Sequence, residues 1–183
     1  MRYEVRFAGF GGQGIVAAAY ILGYAASMFE GKNVVQTQSY GPEARGGSSR
    51  GEVVISNEEI DYPLVLEPDA LICFNQGSYV EYGSQIRENG VILVESDLVS
   101  VDKNRKLPAG VKMFSVPATK LAETKLYRRQ VANMVMLGSL IEVTKIISLD
   151  SAEKAVEVRW PRFADLNKKA LQIGSEFIQD QEG

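Results

Sequence analysis

Four glycines in "VRFAGFGGQGIV", at Gly9, Gly11, Gly12 and Gly14, follow a strand-like segment and precede a strongly apolar one. No other feature of the chain restricts its fold as much. Glycines between a strand and a helix let the backbone turn sharply and let a ligand or a neighbouring backbone come close. The first amides of the helix then present their N–H groups to an anion. The spacing satisfies G-x-G-x-x-G and leaves three readings open: an NAD(P) or flavin site, a cradle for another phosphate- or carboxylate-bearing ligand, and a turn that only permits tight packing. A dinucleotide site calls for an acid at the end of the second strand, where it binds the ribose hydroxyls. Here "NVVQTQSY" supplies Gln36 and Gln38, and the nearest acid, Glu30, comes before the strand. The dinucleotide reading is the least favoured of the three.

Along the chain, strand patterns alternate with helical ones. "YEVRFAG" alternates, with Val5 and Phe7 on one face, and the Ala-rich "QGIVAAAYILGYAASMF" predicts a helix packed on most sides. "NVVQT" and "EVVIS" read as the second and third strands. Between them, "QSYGPEARGGSSRG" is too rich in Gly, Ser and Pro for a regular element. Pro63 keeps "EIDYPLV" out of a central strand. "DALICFN" and "VILVES" are short apolar runs suited to strands buried on both faces, and "SYVEYGSQIRENG" between them reads as a helix closed by Gly90. A strand and a helix starting at Pro117 follow in "GVKMFSVPATKLA". "RQVANMVMLGSLIEVTKII", "SAEKAVEVRW" and "PRFADLNKKALQIGSEFIQ" form a helical C-terminal run, expected to cover part of the sheet or to meet a partner. The expectation is one α/β domain over 1–183: three layers, a mostly parallel central sheet with flanking helices, and a Rossmann-like start.

Composition narrows the chemistry. A formal net charge of −3 argues against a nucleic-acid surface. No apolar run reaches the ~20 residues of a membrane span. The first residues enter a strand at once, without a signal-peptide pattern, so the cytoplasm is the expected compartment. The single cysteine, Cys73, excludes an internal disulfide and a cysteine-ligated cluster held by this chain alone. It lies in an apolar strand, where it reads as a small buried hydrophobe. Histidine is absent, which removes the commonest general base and a favoured metal ligand together. A self-sufficient enzyme is not expected; no catalytic residue and no metal site is assigned to this chain.

The other unusual stretch is "TQSYGPEARGGSSRGEVVIS", where Arg45 precedes Gly46 and Gly47, and Arg50 precedes Gly51. Arginine beside flexible backbone suits phosphate or carboxylate binding. From the residues alone, a solvated loop or an arginine anchoring a subunit interface is slightly favoured over it. Asn133, in "VANMVMLG", reads as a hydrogen-bonded core amide rather than a ligand.

In this order and at this spacing, "GFGGQGI", "QSYGPEARGG", "EIDYP" and "VANMVMLG" resemble the gamma subunit of 2-oxoacid:ferredoxin oxidoreductases, in the pyruvate/ketoisovalerate ferredoxin oxidoreductase catalytic domain family. The resemblance runs from about Arg2 to Ile178. The wording around "YGPEARGG" is most similar to the 2-oxoglutarate type, with the pyruvate and branched-chain types as alternatives. A free-standing nucleotide-binding protein is the competing reading from another class. The resemblance implies a multi-subunit enzyme that decarboxylates a 2-oxoacid, transfers the acyl group to coenzyme A and reduces ferredoxin. It implies alpha, beta and delta partner subunits, which carry thiamine diphosphate, Mg2+ and [4Fe-4S] clusters. The matched positions are Gly11, Gly12, Gln13, Gly14, Tyr40, Gly41, Arg45, Gly46 and Gly47. They imply contact with coenzyme A or with neighbouring subunits.

Overall fold

A computed structural model describes residues 1–41 and 47–182. Among these described residues, six strands and six α-helices follow one another in the order that the sequence predicts. β1 (Arg2–Phe10) leads through the glycine turn into α1 (Ile15–Met28), and β2 (Asn33–Tyr40) and β3 (Ser48–Ser56) follow. Next come β4 (Ala70–Cys73), α2 (Gln76–Tyr82), β5 (Val91–Glu95), β6 (Lys112–Val116) and α3 (Ala118–Leu126). The chain ends in α4 (Ala132–Thr144), α5 (Leu149–Arg159) and α6 (Ala164–Glu182). The strand order is β2-β3-β1-β4-β5-β6.

The sheet is mixed, which refines the expectation of a mostly parallel one. β1, β4, β5 and β6 pair in parallel, whereas β3 runs antiparallel to both β1 and β2. β2 and β3 form a hairpin that reaches further than the composition of the intervening stretch allows. β2 continues to Tyr40 and β3 begins at Ser48, inside the stretch read as irregular. Pairing to β1 overrides the low strand propensity of the serines and Gly51. The absent side chain at Gly51 is itself required, because a Cβ there would stand 2.9 Å from Ala19 Cβ of α1. The helix after β4 also differs: it stops at Gly83 instead of Gly90.

Helices α1 and α3–α6 cover one face of the sheet. There Val5, Phe7, Val53, Ile55, Ile72 and Leu93 meet α1 and α4 in the main core. α2 and the coil segments cover the other face over β4 and β5, around Leu71, Cys73, Tyr79, Ile92 and Val94. Cys73 is fully buried, and burial pushes its thiol up to about 12. α4 and α6 pack backbone against backbone. A Cβ on Gly138 would overlap the Leu171 carbonyl and one on Gly174 the Val135 carbonyl, while Ser139 Oγ donates to the Gly174 carbonyl at 3.0 Å. This helix pair fixes α4, whose first turn borders the glycine turn.

Candidate functional site

The glycine turn lies at the C-terminal end of β1, where the chain crosses first toward β2 and later toward β4. In open α/β sheets, ligands bind at such switch points. Gly12 and Gly14 have φ of 95° and 75°, in the left-handed region that L side chains rarely adopt. Gly14 is the N-cap of α1, and no side chain caps this end. The first turn of α1 holds no acid, so its positive dipole end is not neutralised locally. A Cβ at Gly12 would meet nothing within 4 Å, so open space lies over that backbone.

Gln13 braces the turn. Its Oε1 accepts the Phe10 N–H at 2.7 Å, and its Nε2 donates to the Phe74 carbonyl at 3.1 Å, tying the turn to the end of β4. Asn133 is buried and donates through Nδ2 to the Gly14 carbonyl at 3.2 Å, so α4 holds the start of α1.

The second predicted loop comes to the same place. The Gly11 N–H donates to the Gly47 carbonyl at 2.9 Å, and the Gly41 N–H to the Ser48 carbonyl at 2.7 Å. Gly11, Gly12, Gln13, Gly14 and Gly47 thus form one continuous surface, with Gly41 at the hairpin end. Tyr40 is 62% exposed at the tip of β2. Arg45 and Gly46 lie outside the described residues.

Two clefts flank the turn. On the α3 and α4 side, a cavity of about 270 Å³ is lined by Gly12, Gln13, Phe74, Glu95, Thr119 and Arg129. On the α2 side, one of about 170 Å³ is lined by Gly9, Phe10, Ser49, Arg50, Ser78 and Tyr82. Sequence reasoning missed Glu95 entirely. It ends β5 and is 1% exposed. Its Oε2 accepts from the Thr119 N–H at 2.8 Å and from Thr119 Oγ1 at 2.9 Å, and its Oε1 from the Asp97 N–H at 3.2 Å. Burial pushes its carboxyl above the ordinary range, against the pull of these hydrogen bonds. The signal in the sequence is the acid that closes the otherwise apolar "VILVE".

Arg50, read from the sequence as a loop cation, sits half-buried on β3. Its guanidinium lies 5.7 Å from the centre of the Tyr82 ring, with Nε 3.6 Å from the Glu52 carboxylate. On the same sheet face, buried Arg6 donates from Nε to Glu52 Oε1 at 2.7 Å, from Nη2 to the Val65 carbonyl at 2.6 Å and from Nη1 to Gln85 Oε1 at 3.1 Å. The Tyr82 ring therefore lies near two guanidiniums, Arg6 at 5.0 Å and Arg50 at 5.7 Å from its centre. Among the described residues, no group of three or more His, Cys, Asp or Glu side chains is placed to hold a metal ion. No described helix is long and apolar enough to cross a membrane.

The fold and site define a class: a mixed-sheet α/β domain with an uncapped glycine-turn helix start. Sequence similarity to the pyruvate ferredoxin/flavodoxin oxidoreductase family extends over residues 4–177. A 2-oxoglutarate synthase subunit, KorC of Methanocaldococcus jannaschii, is 52% identical over 156 residues, which is 85% of this chain and 82% of that protein. The solved gamma subunit of a keto/oxoacid ferredoxin oxidoreductase from Geobacter sulfurreducens PCA superposes with a TM-score of 0.82 at 41% identity, over 97% of this chain and 99% of that one. A 2-oxoglutarate:ferredoxin oxidoreductase from Magnetococcus marinus, solved with 2-oxoglutarate, coenzyme A and succinyl-CoA bound, shares the fold. Its TM-score is 0.86 at 21% identity, over 98% of this chain and 31% of that one. The chain belongs to the pyruvate ferredoxin/flavodoxin oxidoreductase family, and within it to the gamma subunits of 2-oxoacid:ferredoxin oxidoreductases.

Proposed function

We propose that this gamma subunit forms part of the coenzyme A contact of a cytoplasmic 2-oxoglutarate:ferredoxin oxidoreductase. Its partners in that assembly are the alpha, beta and delta subunits, which hold thiamine diphosphate, Mg2+ and the [4Fe-4S] clusters and pass electrons to ferredoxin. The observation that carries the reading is the Gly11 N–H to Gly47 carbonyl bond, which joins the two matched loops beside the uncapped start of α1. The Magnetococcus marinus relative, solved with coenzyme A, supports the ligand class.

The residues fit a phosphate-bearing ligand. Open space over Gly12 admits a phosphate to the backbone, the dipole end of α1 favours its charge, and Arg129 lines the same cleft. Gln13 and Asn133 act by holding the turn in shape, since their amides are engaged with backbone carbonyls and an N–H. The Gly47 carbonyl ties the second loop to the first, Gly41 closes the hairpin end, Tyr40 offers an exposed ring there, and Arg45 supplies a guanidinium. Coenzyme A, when bound, supplies the thiol that takes the acyl group. This chain's part is to bind and orient the nucleotide end, without a proton-transfer role. A nicotinamide or flavin at the same turn would find Gln38 and Tyr40 at the end of β2, where the ribose requires an acid.

The test uses the co-expressed complex. Gly12→Asn keeps a residue type that tolerates positive φ and places a side chain in the open space. It is expected to raise the KM for coenzyme A about tenfold or more while leaving that for the 2-oxoacid within about twofold. Arg45→Ala is expected to act in the same direction. Unchanged coenzyme A kinetics in both variants would remove these loops from the site.

A further inference from the structure

The two edges of the sheet are built differently. β6 is a short edge of five residues that begins with the exposed Lys112 and ends against Pro117. Short length, a lysine and a nearby proline are the devices that keep edge strands from pairing with other chains. β2 has none of them. It runs for eight residues as "NVVQTQSY", with no charge and no proline. Its register with β3 is one-to-one from Asn33–Ser56 to Tyr40–Ser49, so no bulge twists it away. Among the described residues, nothing pairs with its outer side.

The hydrogen-bond parity of that outer side follows from its neighbours. The Gly41 N–H donates to the Ser48 carbonyl, so Ser39, Thr37 and Val35, at alternate positions, turn their backbone groups toward β3. Val34, Gln36, Gln38 and Tyr40 turn theirs outward. The same alternation holds across the sheet, where the Phe74 N–H donates to the Ala8 carbonyl and the Asp69 N–H to the Glu4 carbonyl.

An antiparallel partner must set outward-turned residues opposite outward-turned residues. A second copy of β2 meets this condition over the whole strand when Thr37 lies on the two-fold axis. Val34 then exchanges both backbone bonds with the partner's Tyr40, and Gln36 with the partner's Gln38. Thr37 faces the partner's Thr37 in the closer, non-bonded geometry. Aromatic with β-branched and threonine with threonine are favourable cross-strand pairs, and no like charges meet.

We infer that the outer edge of β2 is a self-pairing surface, through which two copies of this chain join into one continuous sheet with Thr37 on the two-fold axis. The surface shares only the hairpin end at Tyr40 with the coenzyme A reading: it uses the strand's outer backbone groups, whereas the glycine turn lies at the end of β1.

The test uses the full chain in analytical ultracentrifugation. The unaltered protein is expected to sediment as a dimer whose population rises with concentration. Gln36→Lys combined with Gln38→Lys sets lysine opposite lysine twice, and should weaken the dimer by about tenfold or more. Gln36→Lys combined with Gln38→Glu sets opposite charges there and should restore it. Register has its own readout. Thr37→Cys places two thiols on residues whose Cα atoms stand ~4.5 Å apart in a non-bonded pair, which a disulfide spans. Oxidation should cross-link Thr37→Cys and leave Val35→Cys uncoupled, with buried Cys73 not competing. A chain that stays monomeric at about 100 µM, a dimer indifferent to the lysine pair, or a Thr37→Cys protein that does not cross-link would each overturn the proposal.

Discussion

The two halves of the sheet solve different problems. In the parallel half, β4 and β5 are apolar on both faces and closed over by two cores, one under α1 and α4 and one under α2. In the hairpin half, β2 and β3 rest on α1 with one face. The other face carries the buried Arg6–Glu52 pair, the Tyr82 ring and Arg50, and the outer edge is open. The parallel half is the more apolar of the two, with Glu95 and Thr119 facing the larger of the two clefts at its C-terminal end. The hairpin half holds the buried ion pair and the unpaired strand edge, and the glycine turn sits at the seam between the two, on β1. The proposed coenzyme A contact and the proposed pairing edge therefore both fall where the sheet stops being parallel.

The strongest way to break this contrast is to disturb the polar face itself. Glu52→Ala leaves Arg6 buried without its carboxylate, and should cost about 3–5 kcal/mol of stability in urea unfolding of the isolated chain. Replacing both partners, with Arg6→Met and Glu52→Leu together, should recover most of that loss, because a matched apolar pair removes the unpaired charge. If the double variant is as unstable as Glu52→Ala, the pair is integral to the hairpin's fold and the two halves do not differ in how their cores are held.

A smaller effect sharpens the contrast from the other side. Glu95 is the buried carboxyl at the mouth of the parallel half, and its raised pKa gives a definite sign. The folded chain holds this proton more tightly than the unfolded one. Stability contributed by the group therefore falls as pH rises from the ordinary glutamate value of 4.5 through the raised folded one. Glu95→Gln should flatten that part of the profile, read as the urea midpoint against pH. A decline that persists unchanged in the variant would assign it to other groups.

Much of this was legible in the sequence, and the exceptions have physical causes. Local pattern carried the order of elements, the strand alternation that puts Val5 and Phe7 on the core side, the buried Cys73 and the helix start at Pro117. Direction of pairing is not local. The antiparallel β3 follows from a hairpin closing beside β1, and nothing in the composition of "GSSRG" announces that Gly51 is the floor under Ala19. α2 ends early because Gly83, not Gly90, follows its last turn, and both glycines looked alike in sequence. At the site, the two loops were visible as motifs, but the Gly11–Gly47 bond between them depends on the register of β1 with β3. Glu95 escaped notice because an acid at a strand end has no spacing rule; only the fold brings it against Thr119 and the cleft.

The central claim, that the glycine turn and the hairpin loop together meet coenzyme A, is tested most directly by hydrogen exchange on the intact, active complex with and without the coenzyme. The account predicts that peptides covering residues 9–17 and 38–49 exchange about tenfold more slowly when coenzyme A is bound, while those of β4 and β5 do not change. Exchange at both loops that is indifferent to saturating coenzyme A, in a complex that still turns over, would contradict it.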